Sequence, residues 1–323
     1  MKQTLTPGRW RGLKTTSTPN HIFTILAFDQ RGAYRKMLPE GTSYVEAAQI
    51  KQDIVRPLSF HASAVLLDAE YSLNAVLTMA GSSGLLMALE KSGYSGDTTN
   101  RRTIFIDGWS VAKIKQVGAS AVKLLTYYHP DSGALATETE TLIQHIAQEC
   151  HDHDLPLFLE PLSYSLDATA SKETFAKDRP RVVVEIARRL SKLGPDVMKM
   201  EFPLDVEFEK DRSVWQHQCE AISANCVAPW VLLSAGVDFD TFAEQTRIAC
   251  KAGASGFLAG RAIWKEGVTM TQAARQDFVD KVAVPRLNQL ADVASKEARP
   301  WSDFYAPIEA VENWYTSYAT SLT

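Results

Sequence analysis

Two lysines and one glutamate lie in short apolar stretches of the chain, where charged side chains are uncommon. Lys123 lies in the fourth such stretch, Glu160 in the fifth and Lys199 in the sixth. Burial disfavours the charged form of a lysine, and a neutral amine can attack a carbonyl carbon to form a Schiff base. A carboxylate near that amine can carry protons to and from the adduct. These residue types therefore indicate covalent amine chemistry, with Lys199 as the candidate nucleophile.

Each of these residues also has a purely structural interpretation. Lys199 could lie at the end of a strand and extend its ammonium group into water, and Glu160 could form a salt bridge with Lys123. Two lysines that face one pocket repel each other, however, and this repulsion favours the neutral form of one of them. Nucleophilic chemistry is therefore the favoured interpretation, and the structural alternative stays open.

The apolar stretches recur along the chain, and most are followed by a segment with helical periodicity. The stretches are 23–29, 64–68, 84–90, 121–127, 156–160, 197–202, 230–234 and 256–260. The clearest helical segments are 44–58, 138–152, 179–193, 213–225 and 239–252. Eight strand–helix units at this length predict the α/β fold of a (β/α)8 TIM barrel, with a doubly wound sheet as the alternative.

The barrel pattern ends near Trp264, and a further helical region follows over about 272–298. We therefore expect a single barrel domain over residues 1–323, with 265–323 as a C-terminal helical extension. One connection, 91–103, is longer than the others, and a long loop at the rim of a barrel is often functional.

Polar residues collect where the predicted strands end, which is where barrel enzymes place their active sites. Asp29 follows the first stretch at the barrel mouth, beside the eighth strand, and could orient or deprotonate a hydroxyl group. Ser234 ends the seventh stretch and Gly236 follows it, while Gly260 ends the eighth stretch and Arg261 follows it.

The loops after strands seven and eight often bind phosphate in this fold. Glycine lets the backbone approach an anion, helix N-termini offer N–H groups, and Arg261 would add a forked cation. The alternative is that Gly236 and Gly260 only turn the chain. We favour a phosphate site formed by these loops.

The composition limits the classes of partner. The 323 residues are 45% apolar and 22% charged, with a net charge of −4, so neither nucleic acid nor an acidic membrane surface is an expected partner. The cysteines form no C-x-x-C pair, and we expect neither a metal site nor a cofactor. Neither a signal peptide nor an apolar run of membrane-spanning length is apparent, so we expect a cytoplasmic protein.

An ordered set of motifs over nearly the whole chain resembles the class I tagatose 1,6-bisphosphate aldolase family. The motifs are 26–33, 66–71, 90–94, 122–128, 159–160, 197–201, 233–237 and 259–262. The resemblance implies a metal-free barrel in which Lys199 forms the Schiff base and Glu160 is the acid/base residue. It also implies that Lys123 is the second active-site lysine and that Asp29 is the rim aspartate.

The implied reaction is cleavage of a ketohexose 1,6-bisphosphate to dihydroxyacetone phosphate and glyceraldehyde 3-phosphate. The C1 phosphate would bind at the loops of strands seven and eight, and Arg31, Arg101 and Arg102 are candidates for the distal anion. We also expect a homo-oligomer. The related sulfofructose-phosphate aldolases share most of the motifs, and Pro161 looks more like that branch, so a 6-deoxy-6-sulfofructose-1-phosphate substrate stays open.

Two alternatives of another class also remain. One is a barrel isomerase or epimerase that uses carboxylates alone and in which Lys199 anchors a phosphate. The other is a non-catalytic sugar-phosphate sensor on an aldolase scaffold, against which the complete set of lysines and glutamate argues. Trapping of an imine would exclude the first, and turnover would exclude the second.

Overall fold

Eight parallel strands close into a barrel in the computed structural model, which describes residues 2–316 and 318. The strands are β1 (Phe23–Ala27), β2 (Ala64–Leu67), β3 (Gly84–Ala88), β4 (Ala121–Tyr127), β5 (Leu157–Leu162), β6 (Val197–Met200), β7 (Trp230–Leu233) and β8 (Gly256–Ala259). Each strand pairs with its sequence neighbour, and β8 returns to β1 with Gly256 opposite Phe23. The predicted barrel and all its strands are confirmed, and the doubly wound alternative is wrong.

Helices surround the barrel and follow most of its strands. Their bounds are Pro7–Thr15, Gly32–Met37, Tyr44–Leu58, Leu73–Thr78, Val111–Gln116, Ala134–Asp152, Lys172–Leu190, Arg212–Asn225, Phe239–Lys251, Arg261–Trp264, Gln272–Phe278 and Val284–Glu297. Short 3-10 turns lie at Ser59–His61, Lys265–Thr269, Trp301–Asp303 and Trp314–Thr316.

Three predicted helices differ from the observed ones, and the one expected over 138–152 begins at Ala134. The helix expected over 179–193 begins at Lys172, because the Ser171 side chain accepts a hydrogen bond from the Thr174 amide and caps an earlier first turn. The helical region expected over 272–298 is interrupted by a π turn at Val279–Ala283. Pro285 lies in the first turn of the helix that follows and has no amide hydrogen to continue the regular pattern.

The barrel interior changes from apolar to charged along the strands. Ala121, Phe158 and Val197 belong to one buried apolar cluster inside the barrel. Because side chains alternate between the two faces of a strand, the residues two positions further on also point inward. The inward side chains closer to the C-terminal ends of β4, β5 and β6 are therefore Lys123, Glu160 and Lys199.

The N-terminal end of the barrel is closed by the two ends of the chain. The strand Gln3–Leu5 pairs in parallel with Tyr305–Pro307, and the helix Pro7–Thr15 follows it. Arg9 in that helix donates a hydrogen bond of 2.6 Å to the buried Asp196, directly before β6. The candidate site residues Lys123, Glu160 and Lys199 lie at the opposite end, the barrel mouth.

The long connection after β3 is a β-hairpin rather than the predicted loop. Its strands, Glu90–Ser95 and Arg102–Phe105, pair in antiparallel register. Most side chains in these strands are polar and partly or fully exposed, so the sequence lacks the alternation that marks a half-buried strand. The hairpin begins inside the barrel mouth, because Glu90 itself is buried.

The division of the chain into a barrel domain over 1–323 and an extension over 265–323 stays a prediction. Residues 1, 317 and 319–323 of that range lie outside the described residues.

In the part of the chain that is described, no helix is both long and apolar enough to cross a membrane. The four cysteines are buried and free.

Candidate active site

A connected group of buried charges occupies the barrel mouth. We call it the mouth cluster, and its members are Asp29, Arg31, Glu90, Lys123, Glu160 and Lys199. Lys199 Nζ donates a hydrogen bond of 2.8 Å to Glu160 Oε2, and the same oxygen lies 2.8 Å from Lys123 Nζ. Glu160 therefore contacts both lysines at once, and the predicted proximity of these residues is confirmed.

Lys123 is the centre of the mouth cluster. Its Nζ lies 2.9 Å from Asp29 Oδ2 and 2.8 Å from Glu90 Oε1, in addition to its contact with Glu160. Lys199, by contrast, has Glu160 as its carboxylate partner and is only 4% exposed. The structural interpretation in which Lys199 extends into water is therefore wrong, whereas the salt bridge between Glu160 and Lys123 is present.

The electrostatic balance favours the ionised forms of Asp29, Lys123 and Glu160. Burial opposes the ionisation of Glu160, but Lys123 and Lys199 outweigh it, so the pKa of this carboxyl lies below its ordinary value. The same balance lowers the pKa of Asp29. Burial also opposes the charge on Lys123, but the three carboxylates around it raise its pKa well above the ordinary value. Repulsion between the two lysines was expected to lower the pKa of one of them. At Lys123 this lowering is absent, because the attraction of its carboxylate neighbours is the larger effect.

The loops after β7 and β8 come together beside Lys199. The Gly260 amide donates to Ser234 Oγ over 3.2 Å. Gly236 has a φ of 83°, a left-handed conformation that favours glycine, and a Cβ atom there would lie 2.6 Å from Arg261 Nη2, so the missing side chain also leaves room for the guanidinium. The Arg261 side chain forms no hydrogen bond or ion pair with another residue in 2–316 or 318. The predicted anion site thus has an available guanidinium.

Helix N-termini contribute less to this anion site than expected. The helix after β8, Arg261–Trp264, has four residues, and the helix after β7 begins only at Phe239. Its first-turn amide at Thr241 is already bonded to the side chain of Asp238. The backbone of the two loops and the Arg261 side chain are therefore the groups available to an anion.

Two adjoining cavities open at the barrel mouth and share Gln30, Glu160, Leu162 and Arg261 as lining residues. The first has a volume of about 210 Å³ and is also lined by Lys199, Ser234, Gly260 and Glu201. The second has a volume of about 270 Å³ and is also lined by Asp29, Arg31, Glu90, Lys123 and the hairpin residues Lys91, Ser92 and Gly93. Lys199 with the anion site and Asp29 with Lys123 thus face two halves of one cleft.

The sequence matches a family model and a set of curated relatives. The model, described as DeoC/LacD family aldolase, matches residues 23–266. The chain belongs to the DeoC/LacD family of aldolases. Tagatose 1,6-diphosphate aldolases from Streptococcus agalactiae serotype V and from Lactococcus lactis subsp. lactis are each 33% identical to it, over 93% of this chain and 99% of theirs. The resemblance to this family and the predicted aldolase activity are confirmed.

Solved structures support the barrel fold of this DeoC/LacD aldolase. An archaeal fructose 1,6-bisphosphate aldolase has a TM-score of 0.58 at 19% identity and covers 88% of this chain and 98% of its own. A fructose-bisphosphate aldolase from Slackia heliotrinireducens has a TM-score of 0.62 at 13% identity, with 89% of each chain covered. At these identities the likeness shows the fold alone.

The three candidate cations for a distal anion have different environments in this aldolase. Arg31 lines the second cavity; its guanidinium binds the Glu90 carbonyl and carboxylate, and its buried Nε has no partner among the described residues. Arg102 instead pairs at 3.0 Å with Glu138 on an outer helix. The Arg101 guanidinium lies over the rings of Tyr94, Tyr127 and Tyr164, at 4.8, 5.6 and 5.2 Å from their centroids. Arg31 is thus the one of these candidates that lines the cleft.

Sequence reasoning missed three polar residues of the aldolase cleft. Glu90 bonds Lys123 and Arg31 and also accepts a hydrogen bond of 3.0 Å from the Leu125 amide. Gln30 lines both cavities, and Glu201 lines the first. Their position next to a strand end was a usable signal, but it did not indicate which partners each side chain meets.

In residues 2–316 and 318 there is no group of three or more histidine, cysteine and acidic side chains arranged to hold a metal ion.

Proposed function

We propose that this protein is a class I aldolase that cleaves tagatose 1,6-bisphosphate to dihydroxyacetone phosphate and glyceraldehyde 3-phosphate. Lys199 is the proposed Schiff-base nucleophile, Glu160 the acid/base residue, Lys123 the fixed charge that holds the carboxylates, and Asp29 the group that meets the C4 hydroxyl. The names of the relatives support this choice of substrate. We further propose a cytoplasmic location and a homo-oligomeric state.

One observation carries the proposal. The ammonium nitrogen of Lys199 lies 2.8 Å from a carboxylate oxygen of Glu160, and the cavity that holds both also holds Arg261 and Ser234. An anion bound by the loops after β7 and β8 would therefore place the neighbouring carbonyl of a sugar phosphate near the amine. This arrangement also disfavours the isomerase alternative, because Lys199 is paired with Glu160 and Arg261 is the available anion ligand.

The reaction begins with proton transfer from Lys199 to Glu160 along their hydrogen bond, which leaves a neutral amine. The amine attacks the C2 carbonyl of the ketose, and the carbinolamine oxygen takes the proton that the attacking nitrogen gives up. Glu160 then donates the proton that lets water leave, and an iminium ion forms. The iminium accepts the electron pair of the C3–C4 bond when that bond breaks.

Cleavage also requires loss of the C4 hydroxyl proton. Asp29 lines the second cavity; its Oδ2 is bonded to Lys123, and its buried Oδ1 has no hydrogen-bond partner among the described residues, so Oδ1 is the proposed acceptor of the hydroxyl proton. Deprotonation at C4 produces the aldehyde of glyceraldehyde 3-phosphate as the C3–C4 bond breaks. The enamine left on Lys199 is protonated at C3 and hydrolysed, which releases dihydroxyacetone phosphate.

The two cavities fit a substrate with an anion at each end. Ser234, Gly236, Gly260 and Arg261 would hold the C1 phosphate in the first cavity. Arg31 and Lys91, which both line the second cavity, are the proposed partners of the distal phosphate there. The reacting carbons would then lie between Lys199 and Asp29.

Borohydride trapping tests this proposal. Reduction in the presence of dihydroxyacetone phosphate should add one reduced triose phosphate to the peptide that contains Lys199, and the Lys199→Met variant should take up none. Label on Lys123, or on no lysine, would contradict the assignment. An unreactive chain that nevertheless binds sugar phosphates would favour the sensor alternative.

A further inference from the structure

A second buried lysine lies directly behind the loop that carries Asp29. Lys51, in the helix Tyr44–Leu58, is 0% exposed. Its Nζ donates hydrogen bonds to the carbonyl oxygens of Phe28, at 2.8 Å, and of Gln30, at 3.2 Å. These two carbonyls flank Asp29, so one ammonium group holds the backbone on both sides of the aspartate.

The Lys51 ammonium is itself held in place by Asp68. Both side chains are fully buried and form an ion pair. Asp68 Oδ1 accepts hydrogen bonds of 2.8 Å from the amides of Glu70 and Tyr71, and Oδ2 accepts one of 2.5 Å from Ser72 Oγ. The carboxylate is thus rigidly attached to the segment that follows β2, and this segment anchors the loop that follows β1.

Stability alone gives a weak reason for such an ion pair. Replacing a buried ion pair by apolar side chains of similar volume is often neutral or stabilising. Lys51 also lies over the rings of Phe28 and Tyr34, at 4.6 and 5.1 Å from their centroids, where an apolar side chain would pack well. What an apolar residue would not supply is the pair of hydrogen bonds to the carbonyls around Asp29.

The orientation of Asp29 depends on that backbone. Asp29 Oδ2 is directed at Lys123 over 2.9 Å, and Oδ1 is buried without a partner among the described residues. A shift of the loop would move the Asp29 carboxylate relative to Lys123 and to the cavity that Asp29 lines, and a misplacement of about 1 Å can cost about 100-fold in rate.

We propose that Lys51, anchored by Asp68, is a positioning residue for C–C bond cleavage that acts by fixing the orientation of Asp29. This inference rests on the proposed role of Asp29. Lys51 touches neither cavity, so it acts through Asp29 and not on the substrate.

The test uses the double variant Lys51→Met/Asp68→Asn, which removes the ammonium without leaving an unpaired buried carboxylate. We expect kcat for ketose bisphosphate cleavage to fall by about 10- to 100-fold. KM and the borohydride-trapped fraction with dihydroxyacetone phosphate should stay within about twofold of the native values, because Lys199 and the anion site lie on β6 to β8. Equal losses in cleavage and trapping would overturn the proposal.

A matched control exists in the same helix. Asp53 pairs at 2.6 Å with the buried Arg275, outside the two cavities of the barrel mouth. The variant Asp53→Asn/Arg275→Met removes a comparable ion pair, so we expect a change in Tm but an unchanged kcat. If kcat of the control falls as much as that of the Lys51 variant, general destabilisation explains the loss of activity in both variants, and the proposal is overturned.

The decisive measurement is a mutant cycle with Asp29→Asn. If Lys51 acts through Asp29, adding Lys51→Met/Asp68→Asn to Asp29→Asn should lower kcat by less than about twofold more. A combined loss equal to the product of the separate losses overturns the positioning role. A normal kcat for Asp29→Asn alone would instead reject the proposed role of Asp29. The cycle therefore distinguishes failure of the Lys51 proposal from failure of the Asp29 proposal.

The variant Ser72→Ala provides a milder perturbation if the double variant does not fold. It removes the hydrogen bond that Ser72 Oγ donates to Asp68 Oδ2 and the one that it accepts from the Asp68 amide, and we expect kcat to fall roughly 3-fold with trapping unchanged. That loss should disappear in the Asp29→Asn background. An unchanged kcat for Ser72→Ala, or a loss that persists beside Asp29→Asn, would overturn the proposal.

Discussion

Replacing Lys123 by methionine would remove the central cation of the mouth cluster and keep a side chain of similar length. In the native cluster, three cations face three carboxylates at the contacts described above. The variant would therefore hold one net negative charge in a buried site. Removing one partner of a buried ion pair typically costs about 3–5 kcal/mol in the free energy of unfolding. For a chain of 323 residues this loss corresponds to roughly 4–7 °C in Tm.

The pH dependence of that loss has a defined sign. The lowered pKa values of Asp29 and Glu160 mean that their stabilisation is present above the unfolded-state values of about 4 and is lost only below them. Without Lys123, one carboxylate should instead have a folded-state pKa above its unfolded value. Its protonated form then stabilises the fold at low pH, and this stability is lost as the pH rises. The deficit in Tm should therefore be smaller at pH 5 than at pH 8.

Calorimetry of the native protein and of Lys123→Met from pH 5 to pH 8 measures this difference. Lys177→Met is the control, because Lys177 pairs with Glu173 on the surface and its side chain is 75% exposed. That variant should change the free energy of unfolding by no more than about 0.5 kcal/mol. A deficit for Lys123→Met that does not vary with pH, or no deficit, would refute the conclusion that Lys123 neutralises the buried carboxylates.

Three further predictions concern substrate binding and chemistry. Arg261→Ala should raise KM about 10- to 100-fold with little change in Tm, because a charge-assisted contact contributes about 1.5–3 kcal/mol; an unchanged KM would place the phosphate elsewhere. Activity should persist in EDTA, because the iminium on Lys199 supplies the electron sink; a loss that zinc restores would contradict a class I mechanism. The kcat/KM for tagatose 1,6-bisphosphate should exceed that for 6-deoxy-6-sulfofructose-1-phosphate. The opposite order would show that the sulfosugar phosphate is the preferred substrate.

The barrel and the types of residue at its mouth could be predicted from the sequence. Short apolar stretches alternating with helical periodicity are local patterns, and a closed parallel barrel is the arrangement that buries all of them. The placement of Lys123, Glu160 and Lys199 on neighbouring strands followed from counting those stretches. The side-chain period of two then put these residues on the same inner face.

Only the tertiary structure decided which charges meet and what they do to one another. Barrel closure joins Asp29 to Lys123 across 94 positions of the chain, and the same carboxylate group of Glu90 reaches both Lys123 and Arg31. Such contacts depend on strand register and loop path, which no local pattern encodes. For this reason the sequence indicated repulsion between two lysines, whereas the folded chain surrounds Lys123 with carboxylates. Lys51 looked like an ordinary helical residue until the fold placed its ammonium group behind Asp29.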